Sequence, residues 1–421
     1  MGKNYVFVDD LSPQDIEADV ASQTVRLRRE AGTTPVQGFD KFLVRQNDEL
    51  VEVAFDSIDA AINNLAYRGA TTFEVGAGKP YSSVNQVLDL LRDKILVSPI
   101  LIKVADGIHE WTDISLHRHP YAHKIRIEGN VTNPANCLIR WKADSRGDSQ
   151  GLNITSCRGL NFSGFKLEGR CEESNFTHRS IGVYEGSSLF CDNDSIIIDG
   201  GFNGVDAGNF SKITAIGLKV SNTKQAGVLL HRSIGDIERA TINGSGKASR
   251  HILPARHGSR TVEPNGIWLI NNSSAHVAHS NVSNLTYGII TERSSHAEAS
   301  AVNASGCYVG SISRFNSSYV SYPSPTTGIG ASATECDHGF ISDMGSTMFV
   351  KKGTATGCSV VGFRSLNGSN LHTDGGGYAK DCGIGYQVTH GGLLTANGTS
   401  ANSTGNTVNY DVDANSKLIW S

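Results

Sequence analysis

A glycine followed by an apolar residue returns every 22 or 23 positions through most of the second half of the chain. The series runs Gly182-Val, Gly204-Val, Gly227-Val, Gly266-Ile, Gly288-Ile, Gly310-Ser, Gly339-Phe, Gly362-Phe and Gly385-Tyr, with a glycine-less last member at Thr407-Val408. Two intervals are longer, Gly227 to Gly266 and Gly310 to Gly339, so those turns carry insertions of roughly 16 and 7 residues over the period. A fixed period of this size means stacked units that cannot bury an inner face alone.

Within each unit the runs are short and β-like (IIIDG, ITAIGLKV, GVLLH, GIWLI) and no helical pattern intervenes. The expectation is an all-β parallel β-helix, each rung a coil of about three short strands. A leucine-rich solenoid would need regularly placed Leu and Asn, which are absent. Cys307, Cys336, Cys358 and Cys382 recur near the end of each unit and form a column, which reads as small buried residues stacked inside the coil or as a disulfide ladder. Gly is abundant (46) while Met (3) and Pro (10) are scarce, the composition of a chain made of turns.

Upstream of the rungs, SSVNQVLDLLRDK places Val84, Val87, Leu88 and Leu91 on one side of a helix, the cap an open solenoid end requires. Residues 79–99 are read as this helix and its linker, and 100–421 as the β-helix, with loop insertions near 249–265 and 321–330. Residues 1–78 form a small mixed α/β segment: a helix opened by Ser12-Pro13, a hairpin KFLVRQ-ND-ELVEVAF, and a second helix ended by Gly69. This segment is too small for a large core of its own and is expected to pack on something else. Lys and Arg together number 37 against 41 Asp and Glu, so no basic footprint points to nucleic acid. The first residues contain no secretory pattern and no stretch approaches a membrane span, so synthesis in a cytoplasm without membrane insertion is expected.

The stretch from Val84 to Trp141, VNQVLDLLRDKILVSPILIKVADGIHEW through KIRIEGN to CLIRW, resembles the capping helix and opening rungs of bacteriophage tail spikes and tail fibres with a right-handed, pectate-lyase-like β-helix. The resemblance implies a virion protein: a homotrimer docked on other tail or baseplate proteins through its N-terminal segment, with the β-helix turned toward a host surface glycan. It implies either adsorption by binding alone or, as the alternative, a polysaccharide depolymerase, hydrolase or lyase, of the same fold. A non-viral enzyme of the pectate-lyase-like fold is a third reading.

If the residue after each glycine points inward, those two and four beyond it point out. The outward face then gathers Trp268 and Arg364 in one column and His231, Glu292, Arg314 and Asp343 in the other. Glu292 and Asp343 stand two rungs apart, about 10 Å at the usual strand spacing. Leaning together they could serve as acid and base of an inverting glycosidase, whose carboxyls lie about 6.5–9.5 Å apart; Arg314 between them would favour a base over an acid, and a self-neutralising Glu-Arg-Asp ladder is the alternative. The insertion before Gly266 adds Arg256 and His257 as candidate glycan-binding residues, and both insertions are expected to wall this face. Outward Ile290, Ile312 and Ile341 read as a seam against a neighbouring copy. No metal motif or cofactor fingerprint is found, and His117, His119 and His123 match no ligand spacing.

Overall fold

The computed structural model describes residues 66–246, 251–373, 375–396 and 403–420, together with backbone strands at 7–8, 16–19, 24–27, 41–46 and 49–54. The chain forms two compact units, residues 1–69 with 93–97, and residues 70–92 with 98–421.

In the smaller unit, Lys41–Gln46 and Glu49–Ala54 form the expected hairpin, and Phe7–Val8 joins it in parallel. The helix expected after Ser12-Pro13 is replaced, at Ile16–Asp19, by a strand paired antiparallel with Thr24–Leu27. Ser-Pro marks a turn into extended chain as readily as a helix start, and IEAD/TVRL alternates well enough to pair. The second expected helix lies outside the described residues except at its end, where Ala66–Tyr67 is a strand beside Ile95–Leu96.

The larger unit is a parallel β-helix, right-handed as parallel crossovers are. Three long sheets run along it: sheet A with 14 strands, from Thr72–Val75 to Lys417–Trp420, sheet B with 12, from Gly107–Trp111 to Ser403–Thr404, and sheet C with 12, from Asp113–His117 to Val408–Val412. Each rung contributes A, then B, then C. The glycine series marks sheet C. There the alternation predicted from sequence holds: Val205, Val228, Ile267, Ile289, Phe340, Phe363 and Tyr386 are buried inside. Phe340, Phe363 and Tyr386 stack at 5.3 Å between ring centroids, so each rung's ring covers the next.

The glycines recur because successive rungs approach too closely for a side chain. A Cβ on Gly310 would stand 2.7 Å from the carbonyl oxygen of Gly339 and 3.0 Å from the Ala333 methyl. The corner from sheet C to sheet A has its own code. Asn271-Asn272, Arg293-Ser294 and Phe315-Asn316 all take left-handed φ, and each pair is followed by a buried serine. The Ser273 amide donates to Ser295 Oγ at 3.2 Å, Ser295 to Ser317 at 3.2 Å, and Ser317 to Ser346 at 3.1 Å, so these corners satisfy one another. The cysteine column lies at the corner from B to C. All eight cysteines are free thiols, and hydrogen bonding of Cys307 with Cys336 and of Cys358 with Cys382, followed by burial, pushes Cys307 and Cys358 above the ordinary thiol range.

The end of the coil is closed by the helix Val84–Leu91, with Ser83 as its N-cap and the four expected apolar residues buried. Asn85 donates to Asp113 O at 3.1 Å and accepts from the Ser115 amide at 3.0 Å, occupying the free edge of sheet C. His119 Nε2 meets Leu91 O at 3.0 Å, so this histidine is part of the cap. Among the described residues no helix is long and apolar enough to cross a membrane.

Candidate functional site

The outer face of sheet C carries a concavity of about 380 Å³ lined by Tyr184, Asp206, Gln225, His231, Trp268 and Asn271, together with Gly208, Asn209, Leu229 and Ile270. It exists because of what the rungs place side by side. Gly208 sits opposite His231 in the ladder and leaves room for the Tyr184 ring, which a Cβ at Gly208 would touch at 3.0 Å. Asp206, Leu229 and Trp268 follow one another across three strands, so the carboxyl and the indole share one row.

Asp206 is the distinctive group here. Burial pushes its carboxyl above the ordinary carboxylate range, against the opposing pull of Arg179, Tyr184, Asn203 and His231. Asn203 Nδ2 donates to its Oδ2 at 3.1 Å. Arg179 lies over the Tyr184 ring at 4.6 Å and donates to Gln150 Oε1 at 2.7 Å. A carboxyl that keeps its proton to higher pH, beside an open hollow with an indole, a phenol and amides, can donate a proton to a bound polar ligand.

The candidates named from sequence divide into separate groups. His231 and Trp268 line the concavity. Glu292 and Arg314 do not: Glu292, 5% exposed, accepts from Trp268 Nε1 at 2.7 Å and pairs with Arg314, whose guanidinium lies over the Tyr287 ring. Asp343 lies past the end of its strand and accepts from Asn367 at 2.8 Å in the following corner. Glu292 and Asp343 therefore have different hydrogen-bond partners. Arg364 follows Ile341 in the ladder, farther along the coil. Arg256 and His257 belong to a cluster of loops at the corner from B to C, with Asp148 and His178.

Two structural expectations are corrected. The 249–265 insertion enters at the corner before sheet C, but the one at 321–330 enters between Ser318–Ser321 of sheet A and Ser332–Thr334 of sheet B, so the two do not wall one face. None of their described residues contributes to the lining of the concavity. Ile290, Ile312 and Ile341 are only 1%, 6% and 7% exposed, packed with Val309, Trp268, Tyr287 and Leu366. Neighbouring rungs cover this column within one chain, and its burial asks for no second copy.

Asp206 and Tyr184 stand in the outward columns of the sequence, but one carboxylate among apolar neighbours carries no motif. The signal available was the pairing of Asp206 with a glycine at the four-beyond position of its own strand, which opens space beside it.

No protein-family profile matches the chain, and no curated protein matches it in sequence. Among solved structures, the catalytic domain of a GH87 alpha-1,3-glucanase in complex with nigerose is similar, with a TM-score of 0.42, 12% identity, and coverage of 85% of this chain and 69% of that one. Two substituted forms of the same domain, also with nigerose, give 0.45 and 0.44 at the same identity and coverage.

Proposed function

We propose that the protein acts on a polysaccharide at the concavity of sheet C, as a glycoside hydrolase with Asp206 as its general acid. The observation that carries this is the carboxyl of Asp206, held toward its protonated form by burial in the lining of an open hollow. Trp268 and Tyr184 offer ring faces to a sugar, and Gln225 and Asn271 offer hydrogen bonds to its hydroxyls. Asp206 gives its proton to the glycosidic oxygen as the C1–O bond breaks. A water forms the new bond to C1 and gives its proton to a ring nitrogen of His231, which lines the same hollow.

A second reading, binding without cleavage by a trimeric phage tail protein anchored through its N-terminal segment, is favoured by one observation. Among the described residues lining the concavity Asp206 is the sole carboxylate, whereas most glycosidases use two. One experiment separates the two readings. Purified protein is incubated with a panel of bacterial capsular and O-antigen polysaccharides, and polymer size is followed by chromatography beside a pull-down for binding. A size drop kept by Glu292→Gln and lost by Asp206→Asn supports the hydrolase. A drop that survives Asp206→Asn overturns this site, and binding with unchanged size supports the adhesive reading.

A further inference from the structure

Three loops meet at the corner from sheet B to sheet C, and they bring together groups that the proposed hydrolysis does not use. Residues 142–150 and 170–178 are joined by a short parallel ladder, Asp148 opposite Phe176 and Ser149 opposite Thr177. The hairpin His251–Ile252 with Thr261–Val262 belongs to the long insertion. Phe176, Phe202, Leu253 and Val262 form a small apolar core shared by the 170–178 loop, the long insertion and the corner at Phe202. Phe176 stacks on the His257 ring at 3.8 Å between centroids and meets His178 edge-on at 4.9 Å, so both imidazoles are oriented by packing.

The two rings converge on one carboxylate oxygen. His257 Nε2 lies 3.3 Å and His178 Nε2 3.4 Å from Asp148 Oδ1, and the three atoms lie within 4.8 Å of one another. Two ligands bound at 2.0–2.1 Å in a tetrahedron stand about 3.4 Å apart, so these separations are the edges of a zinc coordination shell. Buried Asp148 Oδ1 and His257 Nε2 nevertheless have no hydrogen-bond partner. At such distances the atoms stand close together without the alignment of a hydrogen bond between them. Arg256 Nη2 is also 3.4 Å from Oδ1, but its guanidinium is engaged by the carbonyls of Arg146 and Gly147 and stands 4.0 Å from Glu173. The cluster of Asp236, Glu238 and His276 on sheet A differs: His276 Nδ1 lies 2.7 Å from Glu238, already paired.

We propose that Asp148, His178 and His257 bind a divalent transition metal of the zinc class, tying the three corner loops together. Two imidazoles and a carboxylate suit Zn²⁺ and its analogue Co²⁺ better than Ca²⁺ or Mg²⁺, which prefer all-oxygen shells. Tag-free full-length protein is titrated with Co²⁺ alone. One equivalent should produce the visible absorption of low-coordinate Co²⁺, lost in His178→Gln and in His257→Gln and retained in His276→Gln, with circular dichroism confirming that each variant folds. In the unaltered protein, Zn²⁺ should slow amide exchange at 176–178 and 251–262 together, by at least tenfold. Absence of the band, its survival in either of the first two variants, or unchanged exchange under Zn²⁺ overturns the proposal.

Discussion

Replacing Arg314 with methionine should loosen one rung of sheet C far more than neutralising the carboxylate it pairs with. Glu292 is 5% exposed and has two partners, Trp268 Nε1 and the Arg314 guanidinium. Removing the cation leaves a buried carboxylate with one hydrogen bond. Breaking a buried pair in this way costs about 3–5 kcal/mol, and the partial exposure of Arg314, 28%, together with the surviving indole bond, places this case nearer about 2–3. Glu292→Gln keeps an acceptor for Trp268 and frees Arg314 toward solvent, so its cost should stay below about 1 kcal/mol. The double variant should resemble Glu292→Gln alone. Local opening is the right readout, because a stacked coil need not unfold in one step. Amide exchange of a peptide spanning Tyr287–Glu292 should accelerate on the order of a hundredfold in Arg314→Met and less than tenfold in the other two. Equal acceleration in both single variants, or less than threefold in Arg314→Met, would refute the view that this column is structural and that the charge needing support is Glu292.

Three further outcomes are expected. Asp206 has a folded-state pKa raised by burial, so the stability it contributes is present below the unfolded carboxylate range and lost as pH rises through the folded value. Asp206→Asn should therefore melt higher than the parent near neutral pH, with the gap closing as pH falls below about 4; a gap of constant size across that window would contradict the burial argument. Gly310→Ala should cost about 1–3 kcal/mol in local stability, because its methyl meets the Gly339 carbonyl and the Ala333 methyl, neither of which can swing aside; a neutral substitution in the same exchange measurement would show that the rungs can separate. Burial pushes the Cys137, Cys171 and Cys191 thiols up to about 12, so these three should react negligibly with a disulfide reagent in the native protein and readily in the urea-unfolded chain, as peptide mapping of the labelled sites would show; fast native labelling of any of the three would contradict their burial.

What the sequence disclosed follows from which features repeat. The glycine series, the inward column beginning at Val183 and the cysteine column are each written many times over, so a steric requirement at one place in the coil becomes a period. The capping helix was legible because its apolar stripe is local. The serine column was equally legible in hindsight, as left-handed pairs such as Asn271-Asn272 before Ser273, but Asn and Ser are common turn residues and the pattern was absorbed into composition. Ile290, Ile312 and Ile341 misled because outward direction was equated with exposure, whereas side chains on adjacent strands are close enough to cover one another. The groups at the two candidate sites were least visible. Asp206 matters through residues on neighbouring rungs, and Asp148, His178 and His257 come from three loops whose meeting depends on the register of the coil.

The serine corners also bear on how such a chain changes length. Each serine receives the amide of the equivalent position one coil earlier, and Ser273 and Ser295 are separated by one full period with the same left-handed pair before each. Excising residues 273–294 would join two chemically equivalent seams, leaving the following serine to accept from the preceding one as before. An insertion of the same size would do likewise, whereas a gain or loss of half that number would set an unmatched corner against its neighbour. The molecule is in this sense a ruler graduated in whole coils, and its reach can be lengthened or shortened only in those steps.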